Sequence, residues 1–393
     1  MFVKYKNDAQ RLRMKPNISI EQQQFLELLR AGIWNRPADS TLFQGRIDWK
    51  TIFNIAKDQA VQILVADGMG TLPEEMAPKK QTIYKIAVRR ITNARIHKFQ
   101  NSTISRITTL LNAEGIPSIL LKGQGIAQNY PNPESRMCGD IDIYVGLDNF
   151  DKACEIMIRE GAEDMTNQTE HESHIALDFD GSTIEIHKKS DVIYNEKLNS
   201  SLQEWNICNL DKKLAEGTLP QWNNEGTLIN LPGPTHNAFY IIHHAVRHML
   251  SEGIGLRHVC DWMIYLHKHR DQIDIEELKS KLIEYNMLRA WDQFGALATE
   301  FLGFNTEDLL LPPVNQSESK AELLLKHIFN TGNFGRCSCE QRDSESHYIT
   351  RKMHNFRFQM SRIFKLYRIL PEYTLNFGYG WFTNAVYRFF RNK

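Results

Sequence analysis

Two carboxylates lie inside a run of residues that otherwise has the composition of a buried β-strand. The run is RMCGDIDIYV, residues 136–145, and its acidic residues are Asp140 and Asp142. Because side chains alternate between the two faces of a strand, both aspartates point to one face and the isoleucines to the other. Two like charges at this spacing repel each other. The pattern therefore predicts either a bound cation or a strand that ends at a solvated edge.

A third carboxylate follows in the run STIEIHKK. Thr183, Glu185 and His187 share one face of a predicted strand there. If that strand lies beside the first one, Glu185 joins Asp140 and Asp142, and such oxygen ligands suit Mg²⁺ or Mn²⁺. One cation would hold the triphosphate of a nucleotide, and a second would lower the pKa of an attacking hydroxyl. His187 would orient a ligand carboxylate, assist a proton transfer or fill a half-buried position.

A glycine turn and two basic residues precede the paired aspartates. The segment LLKGQG contains Lys122 and Gly123, and Arg136 stands four residues before Asp140. Backbone N–H groups at a glycine turn can approach phosphates, and Lys122 and Arg136 would neutralise their charge. An ordinary turn from a strand into a helix has the same sequence pattern.

In their order along the chain, these segments resemble a known family. The sequence contains LKG, Tyr130-Pro131, Arg136, GDIDIYV and IEIH, and then HHAVRH and GIGLRHVCDW. This order resembles the bacterial uncharacterised nucleotidyltransferase family of the DNA polymerase beta-like nucleotidyltransferase superfamily. The resemblance covers most of the chain from about residue 20, with its specific motifs between residues 120 and 262.

The resemblance implies roles for individual residues. Asp140 and Asp142 would be the paired metal ligands, Glu185 the third carboxylate, and Gly123 part of the phosphate-side turn. Two features depart from the superfamily pattern. Gln124 follows Gly123 where serine or glycine is usual, and the interval from this turn to Asp140 is longer.

A histidine-rich segment over 235–253 predicts a helix. His244, Arg247 and His248 are candidate substrate contacts, because a basic stripe on this helix could face the acidic cluster. Two alternatives remain open for this stripe. His244 and His248, one turn apart, could bind zinc, or the histidines could form a hydrogen-bonded polar helix face at a domain boundary.

The remaining patterns predict three regions and an α/β fold class. An N-terminal helical region covers 1–104, a small mixed-sheet nucleotidyltransferase core covers 105–225, and a C-terminal helical domain covers 226–393. Within the core, Asp180-Gly181 between two alternating runs is a strong hairpin signal.

Shorter sequence patterns predict individual helices, a helix cap, an ion pair and a loop. Ser19 and Gln22 have the spacing of a capping box, and residues 80–113 form a long basic amphipathic stretch. Arg257 and Asp261 have the i, i+4 spacing of an ion pair on a helix, and contact with a substrate is the alternative role. The passage 217–235 is predicted to be mainly loop.

Composition narrows the protein class. Of 393 residues, 42% are hydrophobic and 24% charged, and the formal net charge is zero, which argues against a general nucleic-acid-binding surface. No apolar run is long enough to span a bilayer and the N-terminus lacks a signal-peptide core, so a cytoplasmic protein is expected. The six cysteines, Cys337 and Cys339 included, are predicted to be reduced thiols.

The sequence thus predicts a metal-dependent nucleotidyltransferase that uses an NTP such as ATP. In this prediction Asp140 and Asp142 bind the catalytic metals, and Glu185 completes the cluster and helps to activate the acceptor hydroxyl. The acceptor would be an unknown hydroxyl on a small molecule, a protein or an RNA. The alternative is a non-catalytic protein that keeps this fold to bind a nucleotide or a partner, which the altered glycine turn favours.

Overall fold

The computed structural model describes residues 18–165, 173–311, 320–337 and 348–391. Within these residues the α-helices are α1 (Ile20–Trp34), α2 (Trp49–Asp58), α3 (Gln62–Met69), α4 (Lys80–Ala113), α5 (Gln124–Ala127), α6 (Phe150–Arg159), α7 (Glu196–Asn206), α8 (Lys212–Ala215), α9 (Pro234–Ser251), α10 (Leu256–His269), α11 (Ile275–Glu284), α12 (Leu288–Phe301), α13 (Ala321–Thr331), α14 (Tyr348–Tyr367) and α15 (Pro371–Arg391). The strands are β1 (Ile119–Leu120), β2 (Ile141–Tyr144), β3 (Glu163–Asp164), β4 (His174–Phe179), β5 (Ser182–His187), β6 (Gln221–Asn224) and β7 (Thr227–Asn230).

The N-terminal helices begin and end where local chemistry requires. The predicted capping box of α1 is confirmed, since the Ser19 side chain accepts from the Gln22 N–H and the Gln22 side chain accepts from the Ser19 N–H. The chain between α2 and α3 turns at Ala60, which has a φ of 55°. Helix α4 has the bounds that its amphipathic pattern predicts. Its course shows that residue 104, the predicted boundary of the first region, lies inside a continuous helix.

The mixed sheet predicted for the core is present, and it is larger than the sequence suggested. Its order is β3-β4-β5-β2-β1-β7-β6. The hairpin between β4 and β5 turns at Asp180 and Gly181, with φ values of 55° and 82°. Strand β5 then runs parallel to β2, and this pairing sets the register of the candidate site.

The prediction that residues 217–235 are mainly loop is wrong. The segment QWNNEGTLIN forms the antiparallel hairpin β6–β7, and β7 adds to the sheet parallel to β1. Its turn residues Glu225 and Gly226 have φ values of 50° and 99°, as a two-residue hairpin turn requires. The sequence signal for this hairpin was weaker than that of Asp180-Gly181, because Glu-Gly is not a preferred turn pair and polar residues dominate β6.

Different helices cover the two faces of the sheet. Isoleucines of β2 and β5 pack with α4 and α6 on one face. On the opposite face, Tyr144 of β2 packs with Tyr240 of α9. Asp142 lies two residues from Tyr144, so its side chain points toward α9.

One large apolar core joins both ends of the chain. Residues of α1 to α3 are buried together with residues of α9 to α15. The apolar stripe predicted for α10 is confirmed, since Leu256, Val259, Met263 and Leu266 are fully buried. Burial stabilises each such side chain by about 1.5–3 kcal/mol. Helices α9 and α10 are therefore held rigidly beside the sheet.

Among the helices that the structure describes, none combines the length and apolarity needed to cross a membrane.

Candidate active site

The parallel pairing of β2 and β5 assembles the carboxylates. Asp142 lies opposite Glu185 in the register, and Asp140 is one alternation earlier on the same face. Oxygen atoms from Asp140, Asp142 and Glu185 lie within 4.8 Å of one another. The structure therefore brings together the three acidic residues that the sequence selected, and strand alternation is the reason.

Two positive side chains compensate the charge of Asp142, which is completely buried. Lys122 Nζ lies 3.0 Å and His187 Nε2 lies 3.1 Å from Asp142 Oδ1. Burial alone would lower the pKa of Lys122, but the charges of Asp142 and Asp140 outweigh it and hold that pKa above its ordinary value. The Lys122 side chain is therefore a fixed cation beside the carboxylates.

His187 bridges the two strands that carry the carboxylates. Its Nε2 atom lies 3.1 Å from Asp142 Oδ1 and 3.2 Å from Glu185 Oε2. Burial alone would lower the pKa of His187, whereas these two contacts raise it to about 9. Burial likewise opposes the ionised form of Glu185, but His187 and Lys122 bring its pKa down to about 2. At neutral pH, both carboxylates therefore face an imidazolium.

Helix α9 adds a neutral histidine behind Lys122. Lys122 Nζ lies 3.1 Å from His244 Nε2. Burial and the adjacent Lys122 charge hold the pKa of His244 well below its ordinary value, so its Nε2 accepts from the ammonium. The centroid of the His248 ring lies 4.3 Å from that of His244, with the two rings tilted by 60°, and His248 Nδ1 lies 3.8 Å from Glu252. His248 is thus next to the site without contacting the carboxylates.

The loop that leads into the paired aspartates is anchored by α4. The side chains of Asn93, His97 and Gln100 donate to the carbonyls of Glu134, Arg136 and Gly139, at 2.6, 2.8 and 2.6 Å. These three residues have i, i+4, i+7 spacing and form the buried polar side of the helix. The sequence analysis did not select them, although polar residues at helical spacing within an amphipathic segment were the available signal.

Two separated sequence motifs meet at a buried ion pair. Arg136 pairs with Asp261 of α10 through Nε and Nη2, at 2.8 and 2.9 Å, and the Tyr130 hydroxyl donates to the same carboxylate at 2.7 Å. Asp261 therefore pairs with Arg136, and the predicted Arg257–Asp261 ion pair is wrong. Arg257 instead donates to the carbonyl of Met137 at 3.1 Å.

Arg257 carries a positive charge, and no carboxylate among the described residues forms an ion pair with it. Its side chain is buried, and its Nε atom has no hydrogen-bond partner there. A Cβ placed on Gly139 would come within 3.4 Å of Arg257 Nη1, so the guanidinium lies directly beside Gly139, the residue before Asp140. Burial and the neighbouring Arg136 lower the pKa of Arg257. Such a cation gains most from an anionic partner.

Gly123 makes the turn that presents Lys122. Its φ and ψ of 65° and −117° lie in a region that L residues rarely adopt. Gln124, the departure from the superfamily pattern, is buried and points away from the cleft, with Nε2 at 3.2 Å from His97 Nδ1. The glutamine side chain therefore does not obstruct the turn.

Several of these groups line one cleft between the sheet and helices α9 and α10. The lining contains charged side chains as well as aromatic and aliphatic ones. The charged residues are Lys122, Arg136, Asp140, Arg257 and Asp261, and Gly123 and Gly139 lie among them. The remaining lining residues are Ile126, Tyr240, Ile241, His244, His258 and Phe334. His258 and Phe334 were not selected from the sequence, because only the tertiary structure brings their elements to the cleft.

The donor atoms at this site fit a divalent cation. Asp142 Oδ2 is buried and has no hydrogen-bond partner among the described residues, while Oδ1 of the same carboxylate is paired. The unpaired oxygen belongs to the group of carboxylates from Asp140, Asp142 and Glu185. A hard cation is the kind of partner that three converging carboxylate oxygens prefer.

One predicted contact lies elsewhere. Arg247 forms an ion pair with the buried Asp191, with 2.9 Å between Nε and Oδ1, and Asp191 also accepts from His243 at 2.8 Å. Arg247 lines a separate cavity next to Tyr373 and Phe377. Arg247 is therefore paired with Asp191 and not with the carboxylate cluster.

Comparison with known proteins gives one match. A model of the family described as uncharacterised nucleotidyltransferase matches residues 45–303, which is well over half of the chain. No curated protein and no solved structure matches the chain significantly. The matched residues include the carboxylate cluster, the anchoring face of α4 and the α10 residues of the cleft. The chain therefore belongs to the uncharacterised nucleotidyltransferase family, and its family supports a role in nucleotidyl transfer.

Proposed function

We propose that the protein is a metal-dependent nucleotidyltransferase that moves a nucleotidyl group from an NTP to a hydroxyl acceptor. The observation that supports this best is the β2–β5 register, which sets Asp142 beside Glu185 with Asp140 on the same face. Asp140 of the cluster lines a cleft that contains both charged and aromatic side chains. A nucleoside triphosphate likewise combines charged phosphates with a flat base.

In this proposal Asp140, Asp142 and Glu185 hold one or two Mg²⁺ or Mn²⁺ ions. Such a cation neutralises charge on the transferred phosphoryl group and lowers the pKa of the acceptor hydroxyl. With a pKa of about 2, Glu185 is a poor proton acceptor, so we assign it to metal binding rather than to general-base catalysis. His187 keeps the two carboxylates oriented through its contacts with Asp142 and Glu185.

The phosphates lie, on this proposal, beside Lys122, the Gly123 turn and Arg257. Arg136 also lines the cleft, but its charge is already paired with Asp261. Of the two arginines, Arg257 therefore supplies the charge that a phosphate group can neutralise. Its planar guanidinium also suits a phosphate better than an ammonium does.

The base lies, on this proposal, against the aromatic rings of the cleft. Tyr240, His258 and Phe334 offer ring faces there, and flat rings stack on nucleobases independently of sequence. His244 is neutral and holds Lys122 from the α9 side. The hydroxyl of Tyr240 is buried without a hydrogen-bond partner in the described part of the chain, so it is available to a polar group of the ligand.

The experiment is a calorimetric titration of each of the four NTPs with Mg²⁺ and with Mn²⁺. It compares wild type with Asp140→Asn and with Asp140→Asn/Asp142→Asn, and uses Asp151→Asn on the exposed start of α6 as the matched control. We expect cation-dependent binding of one nucleotide that both site variants weaken and the control keeps. Release of pyrophosphate with candidate small-molecule, protein and RNA acceptors then tests turnover. Equal binding by wild type and the site variants would contradict the proposal.

One observation favours the non-catalytic alternative. Lys122 and His187 already compensate the charge of Asp142 without a metal ion. A protein that keeps the fold only to bind a nucleotide or a partner could be stabilised in this way. Nucleotide binding that is unaffected by divalent cations, with no pyrophosphate released, would favour this second function.

A further inference from the structure

A second group of ligand atoms lies on the outer side of Glu185. His174 of β4 pairs directly with His187 of β5 in the antiparallel register, and their ring centroids are 4.7 Å apart. Ligand atoms from His174, Glu185 and His187 lie within 4.8 Å of one another. The sequence analysis did not select His174. Its position is decided by the hairpin register, which sets two histidines side by side on the face that carries Glu185.

Both histidines direct the same ring nitrogen at Glu185. His174 Nε2 lies 3.6 Å from Glu185 Oε1, and His187 Nε2 lies 3.2 Å from Glu185 Oε2. Two ligands of one ion, each at about 2.0–2.2 Å, are separated by roughly 3–3.5 Å. The observed separations are close to this range, so small side-chain rotations suffice to place a metal between these atoms.

The opposite ring nitrogens are held by outer partners. His174 Nδ1 lies 3.0 Å from Ser173 Oγ, and His187 Nδ1 lies 3.3 Å from the carbonyl oxygen of Lys189. A carbonyl can only accept, so His187 donates its Nδ1–H in this contact. A metal ion on Nε2 would displace the proton that this nitrogen shares with Asp142 and Glu185, and that proton would be released to solvent. Histidines that bind metals through Nε2 commonly donate the other N–H in this way, which fixes ring orientation and tautomer.

We propose that His174, Glu185 and His187 bind a transition-metal ion such as Mn²⁺, Zn²⁺ or Co²⁺, at a site distinct in ligand type from the carboxylate site. Two imidazoles and one carboxylate suit these ions, whereas Mg²⁺ prefers ligands that are all oxygen. The inference rests on the proposed function in that both sites share Glu185, and His187 contacts the carboxylates of the first site while it is a ligand in the second. The side chains of His174 and Glu185 are 12% and 20% exposed, so an ion can enter from solvent.

The test is a titration with Co²⁺ in the presence of excess Mg²⁺ and without nucleotide, followed by calorimetry and by the visible absorption of the bound ion. It compares wild type with His174→Gln, with Ser173→Ala and with the control His267→Gln, whose side chain is 45% exposed on α10. We expect one Co²⁺ per wild-type or control chain, at least 10-fold weaker binding in His174→Gln, and an intermediate loss in Ser173→Ala.

A second measurement does not depend on any variant. Pulsed electron paramagnetic resonance of Mn²⁺ bound to wild type would show coupling to imidazole nitrogen. Absence of this coupling, or Co²⁺ binding that is the same in wild type and a folded His174→Gln, would overturn the inference. Because no nucleotide is present, that outcome leaves the nucleotide titrations untouched. Conversely, nitrogen-coupled metal without NTP binding would contradict only the proposed function.

Discussion

Replacing Lys122 by methionine tests whether a protein cation holds the place of a metal ion next to Asp142. Methionine keeps an unbranched side chain but has no charge. Asp142 is completely buried, and Lys122 Nζ lies 3.0 Å from its Oδ1. Breaking a buried pair by removing one partner costs about 3–5 kcal/mol. Because His187 stays at 3.1 Å from the same oxygen, we expect the lower end, about 3 kcal/mol, in the absence of divalent cations.

The same change alters the response to Mg²⁺. A ligand at 100 times its dissociation constant stabilises the folded state by about 2.7 kcal/mol. Lys122 competes with the ion for Asp142, so the affinity for Mg²⁺ rises in Lys122→Met. Urea unfolding with and without excess Mg²⁺ measures both quantities. We expect the midpoint of the variant to be well below that of wild type without Mg²⁺, and the two midpoints to converge when Mg²⁺ is added.

A surface ion pair provides the control. Arg159 of α6 bonds to Glu114 at 2.8 Å and is largely exposed, so Arg159→Gln should leave the midpoint unchanged under both conditions. Two results would refute the reasoning about Lys122. One is a destabilisation below about 1 kcal/mol in the absence of cations. The other is an equal gain from Mg²⁺ in wild type and Lys122→Met, which would separate Lys122 from the metal site.

Three further predictions follow from the buried groups around the cleft. Asp261→Asn leaves Arg136 buried without its carboxylate, so it should lower the free energy of unfolding by about 3–5 kcal/mol. Urea unfolding measures this change, and a loss under about 1 kcal/mol would show that the ion pair does not stabilise the fold. Burial lowers the pKa of His236 from 6.5 to about 3. Below pH 6.5 the unfolded chain therefore binds a proton that the folded chain does not, and the free energy of unfolding falls as the pH decreases. The loss reaches about 2 kcal/mol by pH 5, and His236→Gln should flatten this part of the stability profile; an unchanged slope would contradict the assignment. Gly123→Ala puts a side chain on a backbone conformation that L residues rarely adopt, so it should lower the free energy of unfolding by about 1–3 kcal/mol and weaken NTP binding. Calorimetry that finds both quantities unchanged would contradict this expectation.

Much of the local structure follows from the sequence. The Ser19–Gln22 capping box, the bounds of α4 and the Asp180-Gly181 turn depend on residues close together in the chain. Strand alternation also put Asp140 and Asp142 on one face before any pairing was known. The proposal that Glu185 joins them needed one further condition, that its strand lies beside β2, and the parallel register fulfils it.

Contacts between distant segments could not be deduced in this way. Asp261 was assigned to Arg257 by helical spacing, but it bonds to Arg136, 125 residues earlier in the chain. Arg247 and His244 are three residues apart on α9, yet one pairs with Asp191 and the other with Lys122. Which partner a buried charge finds depends on how α9 and α10 pack against the sheet, and helix periodicity alone does not determine that packing.

The sequence by itself thus determined the residue types of the site and the elements that carry them. The tertiary structure decided their partners. It added the β6–β7 hairpin beside β1, placed His174 opposite His187, and set Arg257 next to Gly139. The physical reason is that turns, caps and alternation depend on short-range sterics and hydrogen bonds, which a few residues specify. Register, ion pairing and cleft lining depend on burial across the whole chain, where many alternatives compete and only the assembled core selects one.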